Sequence, residues 1–409
     1  MNGILDLDKN DPLNAYRDLF HIPDGVIYLD GNSLGAMVKT APERVKQAVE
    51  QEWATDLISS WNKAGWWELP QSLGEKIAPL VGANADSVIV TDSTTINLYK
   101  ALHAALALRP DRSVIIAEET SFPTDLYIAE GAMASRSNLQ RRLIGENGDG
   151  LDEALDDQTA VVLLSHVDYR TGALLDMQAI TEKVHAAGAI MVWDLCHSAG
   201  VVPIELEACN VDFAVGCTYK YLNGGPGSPA FIYANKRHHN NIKQPLTGWW
   251  AHAEPFAFEQ DFKAQTGVRA FLCGTQGILS MTALDAALDA FKGVDMKAVR
   301  QKSVALTSRF AEIVMQQCGD LGIGMFSPQD GNQRGSQIAL THENAYEIMQ
   351  ALIEKGVIGD FRQPNILRFG FSPLYVSFAD VRNAAQILFD ILSTGAWKDD
   401  RFTKRSAVT

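Results

Sequence analysis

The sequence predicts an α/β fold in which helices cover both faces of a mostly parallel sheet, and two patterns support this. From about residue 85 to residue 235, short apolar runs alternate with stretches of helical periodicity. The apolar runs are nearly uninterrupted, which is typical of strands buried on both faces. The predicted strands are residues 87–90, 113–117, 160–164, 189–193, 213–215 and 230–233. Helices are expected at residues 96–108 and 179–187, and Gly188 is expected to end the second as a C-cap.

The C-terminal part of the chain has a different pattern. A helix, a strand and a second helix are expected there, at residues 345–355, 366–371 and 380–392. Gly356 ends the first helix, and Ser377 with Asp380 resembles a capping box at the start of the second. A length of 409 residues suits one large domain and one smaller domain. We therefore expect a large domain over residues 46–285 and a small α/β domain formed by residues 1–45 and 286–409.

The composition and charge of the chain limit its partners and its compartment. The net charge is −14 and the sequence pI is near 5.1, which disfavours nucleic acids and anionic membrane surfaces as partners. Five cysteines form no CxxC pair, so we expect reduced thiols and neither a disulfide framework nor a metal site. Residues 1–8 lack the basic and apolar regions of a signal peptide, and no apolar run approaches the roughly 18–20 residues of a membrane span. We therefore expect a cytoplasmic protein.

The most informative feature is a carboxylate and an amine at the ends of two apolar runs. Asp194 and Lys220 occupy these positions, with 25 residues between them. In an open parallel sheet the ligand lies beyond the carboxyl ends of the strands, where both side chains are then expected. Pyridoxal phosphate (PLP) requires a lysine for its Schiff base and an acid for its ring nitrogen. A surface lysine and an N-capping aspartate are the alternatives, but Tyr219 and the Gly-rich turn beside Lys220 favour a catalytic lysine.

Other residues are compatible with the same cofactor. Thr94 and Thr95 lie at a predicted strand-to-helix junction, where the free N–H groups of a helix bind phosphate, although ordinary N-capping explains the same residues. Phe122 follows a predicted strand, where it either stacks on a cofactor ring, with Asp125 near the ring edge, or packs in a Pro-containing turn. Arg368 interrupts an apolar strand, and a buried arginine needs an anionic partner. That partner is either a substrate carboxylate or the acid of a structural ion pair.

Several motifs together resemble the kynureninase family, most closely its bacterial branch. They are Asp30-Gly31-Asn32-Ser33-Leu34-Gly35, Phe122-Pro123-Thr124-Asp125, Trp193-Asp194 with His197, Tyr219-Lys220-Tyr221-Leu222-Asn223, Gly248-Trp249-Trp250 with His252, and Arg368-Phe369-Gly370. The resemblance extends over nearly the whole chain. It implies the fold-type-I architecture of PLP enzymes, with a mostly parallel seven-stranded sheet in the large domain. The activity it implies is hydrolytic cleavage of the Cβ–Cγ bond of L-kynurenine to anthranilate and L-alanine, a step of tryptophan catabolism.

The resemblance also implies roles for single residues. Lys220 would carry the PLP Schiff base, Asp194 would pair with the ring nitrogen, and Tyr219 would contact the phosphate and supply a proton. The other cofactor-binding positions would be Thr94, Thr95, Phe122, Asp125, Ser165 and His197, with Trp249 and Thr275 supplied by the neighbouring subunit of a homodimer. Arg368 would bind the substrate carboxylate, and Asn32 and Ser33 are candidates for further substrate contacts.

The chain departs from the family pattern at several points. Animal members have a His shortly after the early Trp-Asn region and an Asn at the position of Thr275, and both features are associated with the 3-hydroxylated substrate. Here residues 63–70 contain no His. We therefore expect 3-hydroxykynurenine to be a poorer substrate than L-kynurenine. Ala251 stands where many members have Gly, a change that keeps Trp249.

Two other kinds of function remain open from the sequence. A class V aminotransferase or a cysteine desulfurase would share the superfamily, but a desulfurase needs a mobile, reactive cysteine. Cys196, Cys217 and Cys273 lie in apolar or strand-end sequence, which is typical of buried thiols. A non-catalytic PLP-binding regulator is the alternative from a different class, and no basic stripe or DNA-binding helix-turn-helix supports it.

Overall fold

The computed structural model describes residues 7–405, so residues 1–6 and 406–409 of the predicted small domain lie outside the described part of the chain. The strands are β1 (Ile27–Tyr28), β2 (Val88–Thr91), β3 (Val114–Glu118), β4 (Gln140–Ile144), β5 (Thr159–Ser165), β6 (Ile190–Asp194), β7 (Phe213–Gly216), β8 (Ala230–Ala234), β9 (Gly324–Met325), β10 (Gln337–Thr341), β11 (Val357–Ile358), β12 (Asp360–Arg362) and β13 (Ile366–Gly370). The α-helices bounded within these residues are α1 (Ala41–Gln47), α2 (Ser60–Lys63), α3 (Leu69–Ile77), α4 (Thr94–Ala107), α5 (Pro123–Met133), α6 (Leu151–Ala154), α7 (Met177–Ala186), α8 (Ile278–Asp289), α9 (Met296–Cys318), α10 (Ala345–Glu354) and α11 (Phe378–Thr394).

A seven-stranded sheet forms the centre of the molecule and confirms the predicted fold class. Its strand order is β2-β8-β7-β6-β5-β3-β4. The strands from β4 to β7 run parallel, while β8 is antiparallel to both of its neighbours. The six strands predicted from apolar runs all belong to this sheet. The seventh, β4, was not predicted; it contains Arg141 and Arg142 and is an edge strand.

Both faces of this sheet are buried, which explains the continuous apolar runs. In β6, Met191 and Trp193 belong to one core and Ile190 and Val192 to the other, because successive side chains of a strand point to opposite faces. Helix α7, on its way into β6, ends before Gly188, whose φ of +75° confirms the predicted C-cap glycine. The helix therefore ends at a defined residue directly before β6 begins.

The C-terminal elements form a second, smaller sheet. Its strands are antiparallel in the order β12-β13-β10-β9, and β1 pairs separately with β11. Helix α11 packs on α9, and the predicted capping box of Ser377 and Asp380 is present at its start. The division into two domains stays a prediction, and its boundaries fall inside α1 and α8. Within residues 7–405, none of the helices has the length and apolar content that crossing a membrane requires.

Candidate active site

Asp194 and Lys220 lie at the same edge of the central sheet, Asp194 at the end of a strand and Lys220 on a loop. Asp194 is the last residue of β6, as expected. Lys220 lies on the loop after β7, because the strand ends at Gly216 and does not continue to the lysine as the apolar run had suggested. This loop is held by a hydrogen bond from the Asn223 N–H to the Lys220 carbonyl, 2.9 Å long, and by one from the Gly35 N–H to the Tyr219 carbonyl, 2.8 Å long.

Most of the predicted cofactor-binding residues line one cavity at this edge. They are Thr94, Thr95, Phe122, Asp125, Ser165, Asp194, His197, Tyr219 and Lys220. Thr124, Val167, Tyr169 and Cys196, which were not among the predicted site residues, line the same cavity. Of these, Tyr169 contacts Phe122 edge to face, with ring centroids 5.2 Å apart. The only sequence signal for Tyr169 was its place in the loop after a predicted strand.

His197 holds the amine of Lys220. The Nζ of Lys220 lies 2.9 Å from the Nε2 of His197. Burial, and then the charge of Lys220, lower the pKa of His197, so the imidazole is neutral near pH 7 and one of its ring nitrogens is able to accept a hydrogen bond. The histidine that the sequence placed after Asp194 therefore fixes the position of the lysine amine.

The acids of the cavity differ in their environment. Oδ1 of Asp194 accepts a hydrogen bond from the Cys196 N–H at 2.7 Å, which is the capping role considered from sequence. No group in residues 7–405 donates to Oδ2 of Asp194. Asp125 is buried, and its Oδ2 lies 3.5 Å from the Ser165 hydroxyl. Burial and then the negative charge of Asp194 raise the pKa of Asp125. Asp194 therefore keeps one carboxylate oxygen available for a cationic group.

The first turn of α4 forms another wall of the cavity. Ser93, not a threonine, is the N-cap, since its hydroxyl accepts from the Ile96 N–H at 3.4 Å. Thr94 and Thr95 are thus the first two helical residues, and both line the cavity. The N-terminus of a helix favours anions such as phosphate. An amine, an unpaired carboxylate oxygen and an anion-binding helix end meet here, and these are the groups that fit PLP.

A second cavity of about 440 Å³ adjoins the first, and Thr94 and Tyr219 line both. Thr275 of the same chain lines this second cavity, next to Gln276, whose side-chain oxygen is 3.3 Å from the Asp92 N–H. Burial, and then the nearby Cys217 and Cys196 thiols, raise the pKa of Tyr219 well above its usual value. The Tyr219 hydroxyl therefore stays protonated and able to donate.

Arg368 has the acidic partner of a structural ion pair. It is nearly fully buried, and its Nε donates to Oδ1 of Asp360 at 2.8 Å while its Nη2 binds Oδ2 of the same carboxylate. Its Nη2 also donates to the Ser33 hydroxyl at 2.9 Å, and its Nη1 to the Tyr169 carbonyl at 2.6 Å. Of the two partners considered from sequence, the ion pair is thus present, and carboxylate binding stays a prediction. Asp360 ends a further motif of the family resemblance, Gly356-Val357-Ile358-Gly359-Asp360, but its ion pair with Arg368 was not predicted, because that contact follows from strand pairing.

Asn32 and Trp249 lie away from the wall of the Lys220 cavity. Asn32 is fully buried against Gly370. Trp249 is 41% exposed and packs against Trp67 and Phe256, with ring centroids 5.6 and 6.2 Å apart. In the described part of the chain, His, Cys, Asp and Glu side chains form no group of three or more that would hold a metal ion.

Comparison of the fold finds similar solved structures at low sequence identity. A cysteine desulfurase from Escherichia coli superposes with a TM-score of 0.78 at 18% identity, over 93% of this chain and 98% of that one. A cystine C–S lyase variant with glycine covalently linked to its PLP cofactor gives a TM-score of 0.78 at 17% identity, over 91% and 99%. At these identities the likeness concerns the fold alone.

Comparison of the sequence finds much closer relatives. The kynureninase C-terminal domain family matches residues 299–388. A kynureninase from Burkholderia mallei is 51% identical over 410 residues, which are 99% of this chain and 98% of the relative. A kynureninase from Pseudomonas fluorescens is 46% identical over 413 residues, 100% of this chain and 99% of the relative. The chain belongs to the kynureninase family.

Proposed function

We propose that this chain is a PLP-dependent hydrolase that cleaves L-kynurenine to anthranilate and L-alanine in tryptophan catabolism. The observation that carries the proposal is the cavity in which Lys220, Asp194 and the first turn of α4 meet, in a chain of the kynureninase family. Bound PLP would withdraw electrons from the substrate carbon next to the amine, and the Cβ–Cγ bond would break once water has added to the γ-carbonyl, so that the water oxygen ends in the carboxylate of anthranilate.

The side chains of the cavity divide the work of this reaction. Lys220 would hold the cofactor covalently, and its free amine would remove the proton from the substrate Cα. His197 keeps the lysine amine in place through its 2.9 Å contact. The free oxygen of Asp194 would hold the ring nitrogen of the cofactor. The Tyr219 hydroxyl, whose raised pKa keeps it protonated, supplies a proton to the three-carbon product before L-alanine leaves.

A homodimer in the cytoplasm is part of the same proposal. Trp249, Phe256 and Phe258 form an exposed aromatic cluster, of which Phe258 is 82% exposed. A second copy of the chain that covers this cluster would bring Trp249, and with it Thr275, to the neighbouring active site. The cysteines of residues 7–405 are all free thiols, as expected for a reducing compartment.

The geometry gives less support to a desulfurase, although the similar solved structures include one. A desulfurase cysteine must move over the cofactor with an accessible thiol. Cys196 and Cys217 are both buried, and although Cys196 lines the cavity, its hydrogen bond with Cys217 and its burial raise the pKa of its thiol. Burial opposes ionisation of Cys217 as well, but its hydrogen bond with Cys196 and the charge of Lys220 lower its pKa, and Cys217 does not line the cavity. These thiols are therefore packed as structural groups.

The test is anthranilate fluorescence after purified protein, PLP and L-kynurenine are mixed, with alanine measured in parallel and 3-hydroxykynurenine as the second substrate. We expect equimolar anthranilate and alanine, and a lower kcat/KM for 3-hydroxykynurenine. Lys220→Ala is expected to lose turnover by about 10²–10⁴-fold or more. Lys236→Ala, which removes a half-exposed lysine paired with Asp86, is the matched control and is expected to keep full activity. Wild-type protein that binds PLP and makes no anthranilate would contradict the proposal.

A further inference from the structure

Three charged residues lie together on one face of the small sheet. Strands β12 and β13 are antiparallel, with Asp360 opposite Arg368 and Arg362 opposite Ile366. Because alternate residues of a strand share a face, Asp360 and Arg362 lie on the same face as Arg368. Arg362 donates from Nη2 to Oδ2 of Asp360 at 2.7 Å, so one carboxylate bridges two guanidinium groups.

The hydrogen bonds of Arg368 leave little of its guanidinium free. An arginine has five N–H donors in a planar fork. Asp360 and Ser33 take the Nε–H and both Nη2 hydrogens, and the Tyr169 carbonyl takes one from Nη1. One N–H remains, whereas forked recognition of a carboxylate needs two parallel donors. Arg368 alone is thus a poor site for a substrate carboxylate.

Arg362 has the free donors that Arg368 lacks. Its only hydrogen bond in residues 7–405 is the one from Nη2 to Asp360. Its Nε is buried without a partner, while the side chain as a whole is 39% exposed. The Asp360 carboxylate balances one of the two guanidinium charges, and the nearby Asp30, whose pKa is raised to about 7 by burial and by the charge of Asp360, balances the other only in part near neutral pH.

Both arginines are close enough to the Lys220 cavity to act on its residues. Burial, then Lys220, Arg368 and Arg362, lower the pKa of His197, which contacts the Lys220 amine. Tyr169, which lines the cavity, gives its carbonyl to Arg368, and the charges of both arginines oppose the effect of burial on its pKa. Arg362 is therefore linked to the cavity wall through Asp360 and Arg368, since Arg368 donates to the Tyr169 carbonyl.

We propose that Arg362 is a substrate-binding residue that shares the α-carboxylate of the amino-acid substrate with Arg368. In this arrangement the remaining N–H of Arg368 and the free donors of Arg362 bind the carboxylate from two sides, and Asp360 holds both arginines in place. The inference rests on the proposed function, since it takes an α-amino acid as the substrate.

The experiment compares a ligand that has the α-carboxylate with one that lacks it. For wild type, Arg362→Gln and Arg362→Lys loaded with PLP, kcat and KM are measured with L-kynurenine, and the affinity for its decarboxylated amine is measured as the inhibition constant of that amine in the same assay. We expect Arg362→Gln to raise KM and weaken L-kynurenine binding by about 10–100-fold, with kcat changed far less and amine affinity unchanged. Arg362→Lys, which keeps the charge and loses the fork, should recover part of the affinity.

Arg401→Gln is the control for loss of a surface guanidinium, since Arg401 is 58% exposed and pairs with Glu354 on α10. It should bind both ligands as wild type does. Thermal unfolding checks that Arg362→Gln is folded. We expect that it is, because Asp360 still has Arg368 and Ser33 as partners. An unchanged KM in Arg362→Gln, or an equal loss for both ligands, overturns the inference while wild-type turnover upholds the proposed function. Wild type that makes no anthranilate overturns both.

Discussion

At the scale of single residues, Tyr219 provides a test that separates chemistry from binding. Its hydroxyl is protonated and lies on the wall shared by the two cavities. Tyr219→Phe removes the proton donor and keeps the ring, so we expect kcat to fall by about 10²–10⁴-fold while KM changes little. Steady-state kinetics with L-kynurenine measure both constants. If kcat were unchanged, proton donation would have to be assigned to another group.

Asp30 gives a pH-dependent stability at the same scale. Burial and the charge of Asp360 raise its pKa from 3.8 to about 7. Between about pH 4 and pH 7 the folded chain therefore holds a proton that the unfolded chain releases, so the stability from this carboxyl is full below pH 4 and is lost as the pH rises through 7. Asp30→Asn is uncharged at every pH. We expect it to be more stable than wild type at pH 8, by no more than about 4 kcal/mol, with the gain fading toward pH 4.

Urea unfolding of both proteins at several pH values measures this difference. Asp24→Asn, at an exposed carboxylate nearby, is the control and should follow wild type throughout. A gain in the free energy of unfolding of Asp30→Asn that is the same at every pH would show that the effect is steric.

At the scale of elements, strand β13 packs closely against the loop of residues 30–35 at Gly370. A Cβ on Gly370 would come within 1.9 Å of Oδ1 of Asn32, which is fully buried. Gly370→Ala therefore has to move either the strand or the loop, and we expect a loss of stability of about 1–3 kcal/mol. Gly131→Ala in α5 is the control, since its added Cβ meets nothing within 4 Å and an alanine favours the helix. Thermal unfolding of both variants checks the pair, and equal midpoints would refute the contact.

The elements also show how far sequence reasoning reached. Strands such as β5 and β6 were predicted because burial on both faces makes their residues apolar without interruption. The edge strand β4 has a polar outer side and gave no such signal, and β12 has too few residues for a period to be seen. Asp194 and Lys220 were found because sheet topology places ligands at strand ends. The ion pair of Asp360 with Arg368, and Arg362 altogether, were missed because both follow from the pairing of β12 with β13, which local sequence does not encode.

At the scale of the whole molecule, the proposed dimer is testable by mixing inactive variants. Lys220→Ala and Trp249→Ala each damage every site of their own homodimer. If Trp249 acts in the neighbouring subunit's site, subunit exchange makes hybrids with one intact site, and about a quarter of wild-type activity should return. A mixture of Lys220→Ala with Tyr219→Phe is the control, because both side chains line the same cavity of one chain and no hybrid has an intact site. Sedimentation confirms exchange, and no recovery in the first mixture would place Trp249 outside the partner's site.

The position of β8 has a consequence for how the chain is made. Strand β2 is at the edge of the central sheet, and its only neighbour there is β8. The ribosome produces β8 roughly 140 residues after β2, which at about 5–20 residues per second is a delay on the order of ten seconds. During that time β2, whose four residues are all buried in the finished fold, lacks the strand with which it pairs. The emerging protein is therefore a natural client for chaperones until Ala230–Ala234 closes the sheet.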